Sequence, residues 1–592
     1  MKDAGIEAKR DAEPPKSNLM TPNYLGASLG KYEGAVHATF ADATRANVIQ
    51  RIWNKDATLW KQEQSHQKII VNSLGWLTVS NQMLTVADEL KEFAEQVRAS
   101  GSFDHVMVCG MGGSSLCPEV LRQTFGPQGG FPELMVLDST DPDAIENFRN
   151  QIDIGRCLFV IASKSGTTTE PIAFHRYWFN EVAKNSAEPG KSFITITDPG
   201  SHMAETAAGE GFKHIFLNQA DIGGRYSALS YFGMVPAALM GVNFEKLLRG
   251  AETMAAACGP QVEANQNPGA VLGAVLAECA LAGRDKLTIV SDQKFSALGL
   301  WIEQLIAEST GKEGKGIIPI VGEPLGAVST YAQDRLFVSI SVGAVDAETK
   351  SKLDALVAAG HPVVYRSLAD VSDLGAEFFL WEMATAFAGW RLAINPFDQP
   401  NVQESKDATR ELLEVFTSEG KLPESTPVAT DGVLTIYGSQ DESNGGSVAD
   451  VLAGHIAGVK LKDYVALLAY VEETPETEAA IQKIRTTLRD AMGCATTTGY
   501  GPRFLHSTGQ LHKGGPDSGV FIQITAPDHI ELKVPEAPYS FSILKDAQAQ
   551  GDFQSLLSHG RRAIRVDLGT DVLVGLARLQ ELIEAGSSGL NR

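Results

Sequence analysis

A run of small hydroxyl side chains follows a continuous apolar segment in the first third of the chain. Cys157–Ala162 is typical of a buried strand, and it leads directly into Ser163-Lys164-Ser165-Gly166-Thr167-Thr168-Thr169-Glu170. At such a strand-to-helix junction, free backbone N–H groups and the positive end of the helix point at one place, where serine and threonine hydroxyls add donors. This chemistry predicts a pocket for one phosphate monoester.

A second glycine- and serine-rich turn, Gly110-Met111-Gly112-Gly113-Ser114-Ser115, also follows an apolar strand pattern and precedes a helix. Two such turns in consecutive βα units can converge on one ligand, although each alone also fits a tight turn without a ligand. The turns lack the glycine spacing of a dinucleotide site and the Gly-Lys-Ser/Thr ending of a P-loop. We therefore do not expect a nucleotide to bind here.

Three further segments carry groups that could act on a bound ligand. In Gly223-Gly224-Arg225-Tyr226-Ser227, glycines that allow close approach precede a permanently charged guanidinium, although a surface turn fits equally well. Glu308 ends an amphipathic helix before Gly311 and could point into a cleft or into solvent. Gln399 lies in a loop, and Lys406 follows on the first turns of a helix. Lys406 could reach the same ligand as Gln399, or it could lie on an exposed helix face.

Two histidines, His506 and His512, lie in a glycine-rich segment near the C-terminus. Histidine is the usual acid–base residue near neutral pH, and a loop would leave it free to act. The spacing of this pair could suggest a metal site, but no third ligand is near in the sequence. We therefore expect no metal and no cofactor.

The composition limits the possible partners. The chain has 592 residues and a formal net charge of −22, which disfavours nucleic acid and anionic membranes as partners. The six cysteines are scattered, without zinc-site spacing or the density of a disulfide scaffold. Neither a secretion signal nor an apolar run long enough to span a membrane is apparent, so we expect a cytoplasmic protein.

The length and the alternation of apolar runs with helix-length segments predict α/β domains with parallel sheets. Expected strands of a first unit lie at residues 106–109, 134–137, 158–162, 193–197 and 215–217. Those of a second unit lie at 287–290, 317–321, 336–340 and 362–365. Those of a third lie at 433–437, 465–471, 520–525 and 563–568. We predict an N-terminal arm and helical region (1–100), two doubly wound α/β domains (101–245 and 246–430) and a C-terminal α/β region (431–592) that begins with a polar loop near 438–446.

Taken in order, these segments resemble the phosphoglucose isomerase family, whose members are built from two sugar isomerase (SIS) domains. Gly223-Gly224-Arg225-Tyr226-Ser227 matches one signature of that family, and Phe397-Asp398-Gln399 with Val402 and Lys406 matches the other. The resemblance spans about residues 110–516 and is strongest to the isomerase half of fused transaldolase–phosphoglucose isomerases. The residues before 106 are too few for a transaldolase barrel.

The resemblance implies isomerisation of glucose 6-phosphate and fructose 6-phosphate through ring opening and a cis-enediolate. Glu308 would be the base that moves a proton between C2 and C1, and Arg225 would stabilise the enediolate. His512 and Lys406 would assist ring opening, and Gln399 and Glu170 would orient the sugar. The implied phosphate ligands are Gly113, Ser114, Ser163, Lys164, Ser165, Thr167 and Thr168.

The chain departs from the family pattern at a few positions. In many members the ring-opening histidine lies between the base and the Phe-Asp-Gln segment, where this chain has only His361, in a context typical of a structural residue. Asn401 and Gln403 stand where the second signature usually has glycine and glutamate, and Cys117 replaces a common glycine.

The sequence is also compatible with other functions and assembly states. SIS domains also occur in regulators that bind phosphosugars without converting them, and an isomerase of this kind could also use mannose 6-phosphate. The resemblance implies a homodimer with the active site near the subunit contact. The third α/β region could instead fill that role within one chain.

Overall fold

The computed structural model describes residues 25–438 and 446–587. The predicted polar arm before residue 25 and most of the predicted polar loop near 438–446 lie outside the described residues. The strands are β1 (Gly26–Ser28), β2 (His105–Gly110), β3 (Glu133–Leu137), β4 (Cys157–Ala162), β5 (Phe193–Thr197), β6 (His214–Leu217), β7 (Lys286–Ser291), β8 (Ile318–Ile320), β9 (Arg335–Val342), β10 (Val363–Leu368), β11 (Ala429–Thr430), β12 (Thr435–Tyr437), β13 (Tyr464–Tyr470), β14 (Ala495–Tyr500), β15 (Gly519–Thr525) and β16 (Arg562–Asp567).

Helices separate most of these strands. They are α1 (Glu33–Arg45), α2 (Val48–Trp53), α3 (Gln64–Val71), α4 (Val79–Thr85), α5 (Ala87–Ser100), α6 (Gly113–Phe125), α7 (Pro142–Gln151), α8 (Thr169–Ala183), α9 (His202–Gly209), α10 (Tyr231–Leu239), α11 (Phe244–Ala257), α12 (Pro268–Leu281), α13 (Leu298–Thr310), α14 (Ala347–Ala358), α15 (Leu374–Arg391), α16 (Pro400–Glu419), α17 (Val448–Ala457), α18 (Pro475–Met492), α19 (Gly509–Gly514), α20 (Phe541–Ser558) and α21 (Val572–Ser587). In the described parts of the chain, no helix combines the length and the apolar character needed to cross a membrane.

The first sheet is entirely parallel, with strand order β3-β2-β4-β5-β6. Its central strands are apolar throughout because helices cover both faces. Val106 and Val108 pack with Leu121 of α6 on one face, and Met107 packs with Trp178 of α8 on the other. The ends of β2 and β4 therefore lead into α6 and α8 at the same edge of the sheet, which brings the two hydroxyl-rich turns together.

The second sheet has the order β1-β10-β9-β7-β8, in which β1 runs antiparallel to β10 and the other pairs are parallel. β1 comes from the predicted N-terminal arm and helical region, so that segment adds an edge strand to the second sheet. The helices α12 and α15 pack together, with α11 beside α15. Helix α13, which ends near Glu308, connects β7 to β8.

The third sheet has the order β11-β12-β16-β15-β13-β14. β13, β14, β15 and β16 are parallel, and β12 is antiparallel to β16. The predicted α/β class with parallel sheets is confirmed in all three regions. The exact domain boundaries stay a prediction.

A buried ion pair fastens the C-terminal domain to the first one. The Lys545 ammonium of α20 contacts Asp141, 2.9 Å away at the start of α7, and also Asp528, and each of the three side chains is less than a tenth exposed. Burial alone would lower the pKa of Lys545, but these two carboxylates raise it on balance. The cation therefore stays charged between the two domains.

Replacing Lys545 with methionine should lower the melting temperature markedly. The change leaves two buried carboxylates without their cation, and breaking a buried pair in this way typically costs about 3–5 kcal/mol. Thermal unfolding followed by circular dichroism measures the effect. Lys421→Met is the matched control because the Lys421–Glu424 pair is exposed, with side chains 67% and 83% accessible. Equal melting temperatures for the two variants would contradict a stabilising role for Lys545.

Candidate active site

A cavity of about 290 Å³ lies where the first two sheets and the C-terminal domain meet. The predicted site residues that line it are Gly113, Ser114, Ser163, Lys164, Ser165, Thr168, Arg225, Glu308, Gln399 and Lys406. Thr167 and Glu170 line an adjoining cavity of about 470 Å³, which shares Thr168, Lys406 and His506 with the first. Residues from distant parts of the sequence thus line two adjoining cavities.

The first glycine turn places the start of α6 against the Gly223–Arg225 segment. Gly112 has a φ of +57°, in the left-handed region that glycine tolerates best. A Cβ atom on Gly113 would lie 1.9 Å from the Gly224 carbonyl oxygen, so a side chain at this position is excluded. The close approach brings Ser114 and Arg225 to the same wall of the cavity.

The hydroxyl-rich segment lines the end of the cavity at the start of α8. Ser163 is 3% exposed, and its Oγ finds no hydrogen-bond partner among the described residues. Thr168 precedes α8 without a capping hydrogen bond from its side chain to that helix. A helix N-terminus together with an unused buried hydroxyl is a favourable environment for phosphate oxygens.

The nearby lysine is already partly neutralised. The Lys164 ammonium pairs with Asp198 and donates to the Ala220 carbonyl, 3.1 Å away. It lines the cavity, but its charge is shared with a carboxylate. The positive end of α8 and the hydroxyls therefore account for more of the local attraction for phosphate than the sequence alone suggested.

Arg225 is a buried and firmly held cation. Its Nε donates to Ser309 Oγ at 2.7 Å, one terminal nitrogen donates to Gln399 Oε1 at 2.9 Å, and the other donates to the Pro396 and Asp398 carbonyl oxygens. The guanidinium lies 3.6 Å from Glu308 Oε1. A fixed positive charge and a carboxylate thus face the same space.

A second buried cation fixes the loop that carries Gln399. The Lys312 ammonium donates to the Asn395 carbonyl at 2.8 Å and to Asp398 Oδ1 at 2.7 Å. Burial lowers the pKa of Lys312 to about 8, against the opposing effect of the Asp398 charge. Lys312 and Arg225 together hold residues 395–399 by their backbone carbonyls, so the position of Gln399 is well defined.

His506 is the histidine that lines the cavity. Its Nε2 lies 3.0 Å from Glu170 Oε1, and Gln548 Nε2 donates to the same carboxylate oxygen at 2.7 Å. Burial alone would raise the pKa of Glu170, but the charge and hydrogen bond of His506 and the charge of Lys406 lower it on balance. Glu170 is therefore held as a carboxylate that orients the His506 imidazole.

His512 lies elsewhere, in α19, at 2% exposure. Its ring is 5.1 Å from that of Phe521, and its Nε2 has no hydrogen-bond partner among the described residues. Burial, with the charges of Lys513 and Arg561, holds the pKa of His512 far below its usual range. The structure therefore places His506, rather than the predicted His512, beside the other candidate residues. His361 lies at 3% exposure with its Nδ1 3.1 Å from Arg284, as expected for a structural residue.

Gln304 is a cavity residue that the sequence did not single out. It precedes Glu308 by one helical turn on α13, and its Nε2 donates to Glu308 Oε2 at 3.3 Å and to the His506 carbonyl at 2.8 Å. The helical spacing could have suggested its contact with Glu308. The contact with His506 depends on tertiary structure and could not.

Among the described residues, one group of three carboxylates comes within metal-ligand distance, formed by Asp141, Asp143 and Asp528. The Lys545 ammonium already pairs with Asp141 and Asp528. This group lies apart from the residues that line the cavity.

Comparison with known proteins shows what the chain is similar to. Residues 57–330 match the sequence model of phosphoglucose isomerase. A probable glucose-6-phosphate isomerase from Methanococcus maripaludis is 25% identical over 387 residues, which cover 59% of this chain and 86% of that relative. A glucose-6-phosphate isomerase from Rubrobacter xylanophilus is 29% identical over 374 residues, covering 54% of this chain and 84% of the relative. Over these residues the chain is similar to phosphoglucose isomerases.

Solved structures agree with this similarity at the level of the fold. A glucose-6-phosphate isomerase from Chlamydia trachomatis superimposes with a TM-score of 0.51 at 19% identity, covering 65% of this chain and 86% of that one. The hypothetical protein TT0462 from Thermus thermophilus superimposes with a TM-score of 0.56 at 22% identity, covering 65% of this chain and 99% of that one. Both structures thus leave about a third of this chain unmatched.

The environments of the histidines give a direct prediction. The His512 imidazole should stay neutral between about pH 5 and 8, because protonation would bury a charge beside two cations. The exposed His529, whose pKa is raised by its hydrogen bond to Asp143, should titrate in the same samples. Histidine-labelled NMR spectra recorded across this range test the difference. A His512 resonance that titrates together with that of His529 would show that the residue is accessible and chargeable.

Proposed function

We propose that this protein interconverts glucose 6-phosphate and fructose 6-phosphate. The observation that carries the proposal is that the Glu308 carboxylate, the Arg225 guanidinium and the His506 imidazole, which Glu170 orients, line one cavity beside the hydroxyl-rich start of α8. Aldose–ketose isomerisation needs one base near two neighbouring carbons and a cation near the oxygen that becomes negative. We also propose the cytoplasmic location expected from the sequence.

The phosphate would lie at the start of α8. Ser163 offers an unused hydroxyl there, while Ser114, Ser165 and Thr168 add donors from two helix starts. With the phosphate anchored at this end, the sugar chain extends toward Glu308 and His506 on the opposite walls. The binding energy of the phosphate then serves to orient the reacting carbons.

His506 would open the ring of the cyclic sugar. It would take the proton of the anomeric hydroxyl and return a proton to the ring oxygen, while Glu170 stabilises the charged imidazole. The hydrogen bond of 3.0 Å between His506 Nε2 and Glu170 Oε1 supports this role. Lys406, which lines both cavities, would attract the ring oxygen as negative charge develops there.

Glu308 would then transfer the proton between the two carbons. The carboxylate would remove the C2 proton of the open-chain aldose, and the electron pair would move to the carbonyl oxygen on C1 to give an enediolate. The protonated Glu308 would return this proton to C1, while the hydroxyl proton on O2 moves to O1. Arg225, 3.6 Å from Glu308 Oε1, would stabilise the negative oxygen, and Gln399 would hold Arg225 and the sugar in place.

A regulator that binds phosphosugars without converting them is the second candidate. The phosphate pocket alone would serve such a protein equally well. A buried carboxylate beside a fixed guanidinium, with an oriented histidine opposite, goes beyond what ligand sensing needs. A coupled assay for glucose 6-phosphate formation from fructose 6-phosphate separates the two. Turnover supports the isomerase, and saturable binding without turnover would identify a sensor.

Replacing Glu308 with glutamine should lower kcat by about 10²–10⁴-fold, the usual contribution of a positioned base. Glu303→Gln is the matched control, since Glu303 is buried on the same helix but does not line the cavity. Burial raises the pKa of Glu303 to about 8, so glutamine closely imitates its neutral form. Steady-state kinetics of both variants decide the role. Equal kcat values for Glu308→Gln and the wild type would contradict it.

Steady-state kinetics of variants also distinguish the roles of His506 and His512. His506→Asn should lower kcat by about 10²-fold or more through loss of acid–base assistance to ring opening. His512→Asn should leave kcat within a few-fold of wild type, because this side chain lies outside the cavity. Circular dichroism spectra confirm that both variants are folded. A severe loss in His512→Asn with a mild one in His506→Asn would reverse the assignment.

A further inference from the structure

The second and third sheets have the same topology. In the second sheet, β8, β7, β9 and β10 are parallel neighbours in that order, and β1 adds an antiparallel edge beside β10. In the third sheet, β14, β13, β15 and β16 are parallel neighbours in that order, and β12 lies antiparallel beside β16, with the two-residue strand β11 added beyond it. In both sheets the antiparallel strand precedes the parallel strands in sequence.

The helices follow the same correspondence. Before each parallel set comes a helix, α12 or α17, which packs against the helix that follows the last parallel strand, α15 or α21. The helix between the first two parallel strands is α13 in one domain and α18 in the other. After the second strand of each set comes a connection with a short 3-10 turn, at Val328–Thr330 and at Arg503–His506.

Corresponding elements of the two domains meet each other. The edge strand β8 contacts its counterpart β14. Helix α13 contacts α19, in the connection after β14, and α18 contacts the 3-10 turn in the connection after β8. Such reciprocal contact between equivalent elements is the mark of a two-fold related interface.

Individual hydrogen bonds repeat this reciprocity. From α13, the Gln304 side chain donates to the His506 carbonyl, in the connection after β14. From α18, the Arg489 side chain donates to the Pro324 carbonyl, in the connection after β8. Ile318 and Ile320 of β8 share an apolar cluster with Ala495 of β14, which closes the space between the two edges.

We propose that the C-terminal domain is an internal counterpart of the second domain and occupies the place of a partner subunit, so that one chain forms a complete active site. This inference rests on the proposed function. It assigns the C-terminal domain a specific task, which is to deliver His506 to the base carried by the second domain. The edge strand through which a second copy could pair is already covered by β14.

The end of α18, which corresponds to the end of α13, lacks the residues of a second active site. Glu308 lies three residues before Gly311 and is 7% exposed at the end of α13, whereas Asp490 lies three residues before Gly493 near the end of α18 with a side chain 52% exposed. The hydroxyl-rich turns of the first domain lie beside Glu308. We therefore infer one active site per chain.

Co-expression of two inactive variants tests the inference. Glu308→Gln removes the base in the second domain, and His506→Asn alters the C-terminal domain. If the site forms within one chain, the unfractionated mixture of the two variants should have no more activity than the average of the separate variants. If sites formed between chains, half of randomly paired dimers would be mixed, each with one intact site of two, and about a quarter of wild-type activity would return.

Native mass spectrometry with fructose 6-phosphate gives a second readout that does not need turnover. One sugar phosphate on a single chain of 63.4 kDa supports the inference, and ligand found only on two-chain species would overturn it. Wild type that neither turns over nor binds the sugar would refute the proposed function instead. If the wild type is active and the mixture of Glu308→Gln and His506→Asn recovers activity, the proposed function stands and only the single-chain site is refuted.

Discussion

The Gln304 side chain joins the two halves of the site. Its amide donates to the Glu308 carboxylate and to the His506 carbonyl, so one group fixes the proposed base of the second domain against the histidine segment of the C-terminal domain. A Cβ atom on Gly112 would lie 2.7 Å from Gln304 Nε2, so the proposed phosphate-binding turn of the first domain reaches the same point. The catalytic geometry therefore depends on how closely three domains pack.

Fixed cations allow an acidic protein to hold an anionic sugar. The chain has a net charge of −22, yet Arg225 is buried at the cavity wall, where it donates to the Pro396 and Asp398 carbonyl oxygens. Carbonyl oxygens orient a cation without removing its charge, whereas carboxylates partly neutralise Lys164 and Lys312. The positive charge that each cation keeps thus depends more on its hydrogen-bond or ion-pair partner than on its position in the sequence.

The sequence predicted what depends on local pattern. The parallel strands of the first sheet, the two hydroxyl-rich turns and the segments of Arg225 and Glu308 follow from periodicity and short motifs. β14 was missed because Ala-Thr-Thr-Thr-Gly-Tyr has little apolar character for a strand. Whether His506 or His512 lies at the cavity depends on which part of the connection after β14 meets α13. A local sequence pattern carries no information about that contact. The symmetric relation of the last two domains likewise requires the strand order.

Isomerisation of fructose 6-phosphate in D₂O, followed by NMR, tests the central claim most directly. If Glu308 removes and returns a proton, part of that proton exchanges with solvent, and deuterium should appear at C2 of glucose 6-phosphate and at C1 of fructose 6-phosphate. Turnover with no deuterium at either carbon, even after prolonged interconversion at equilibrium, would mean that the transferred hydrogen never reaches an exchangeable group. That result would contradict a base-mediated enediolate mechanism at this site.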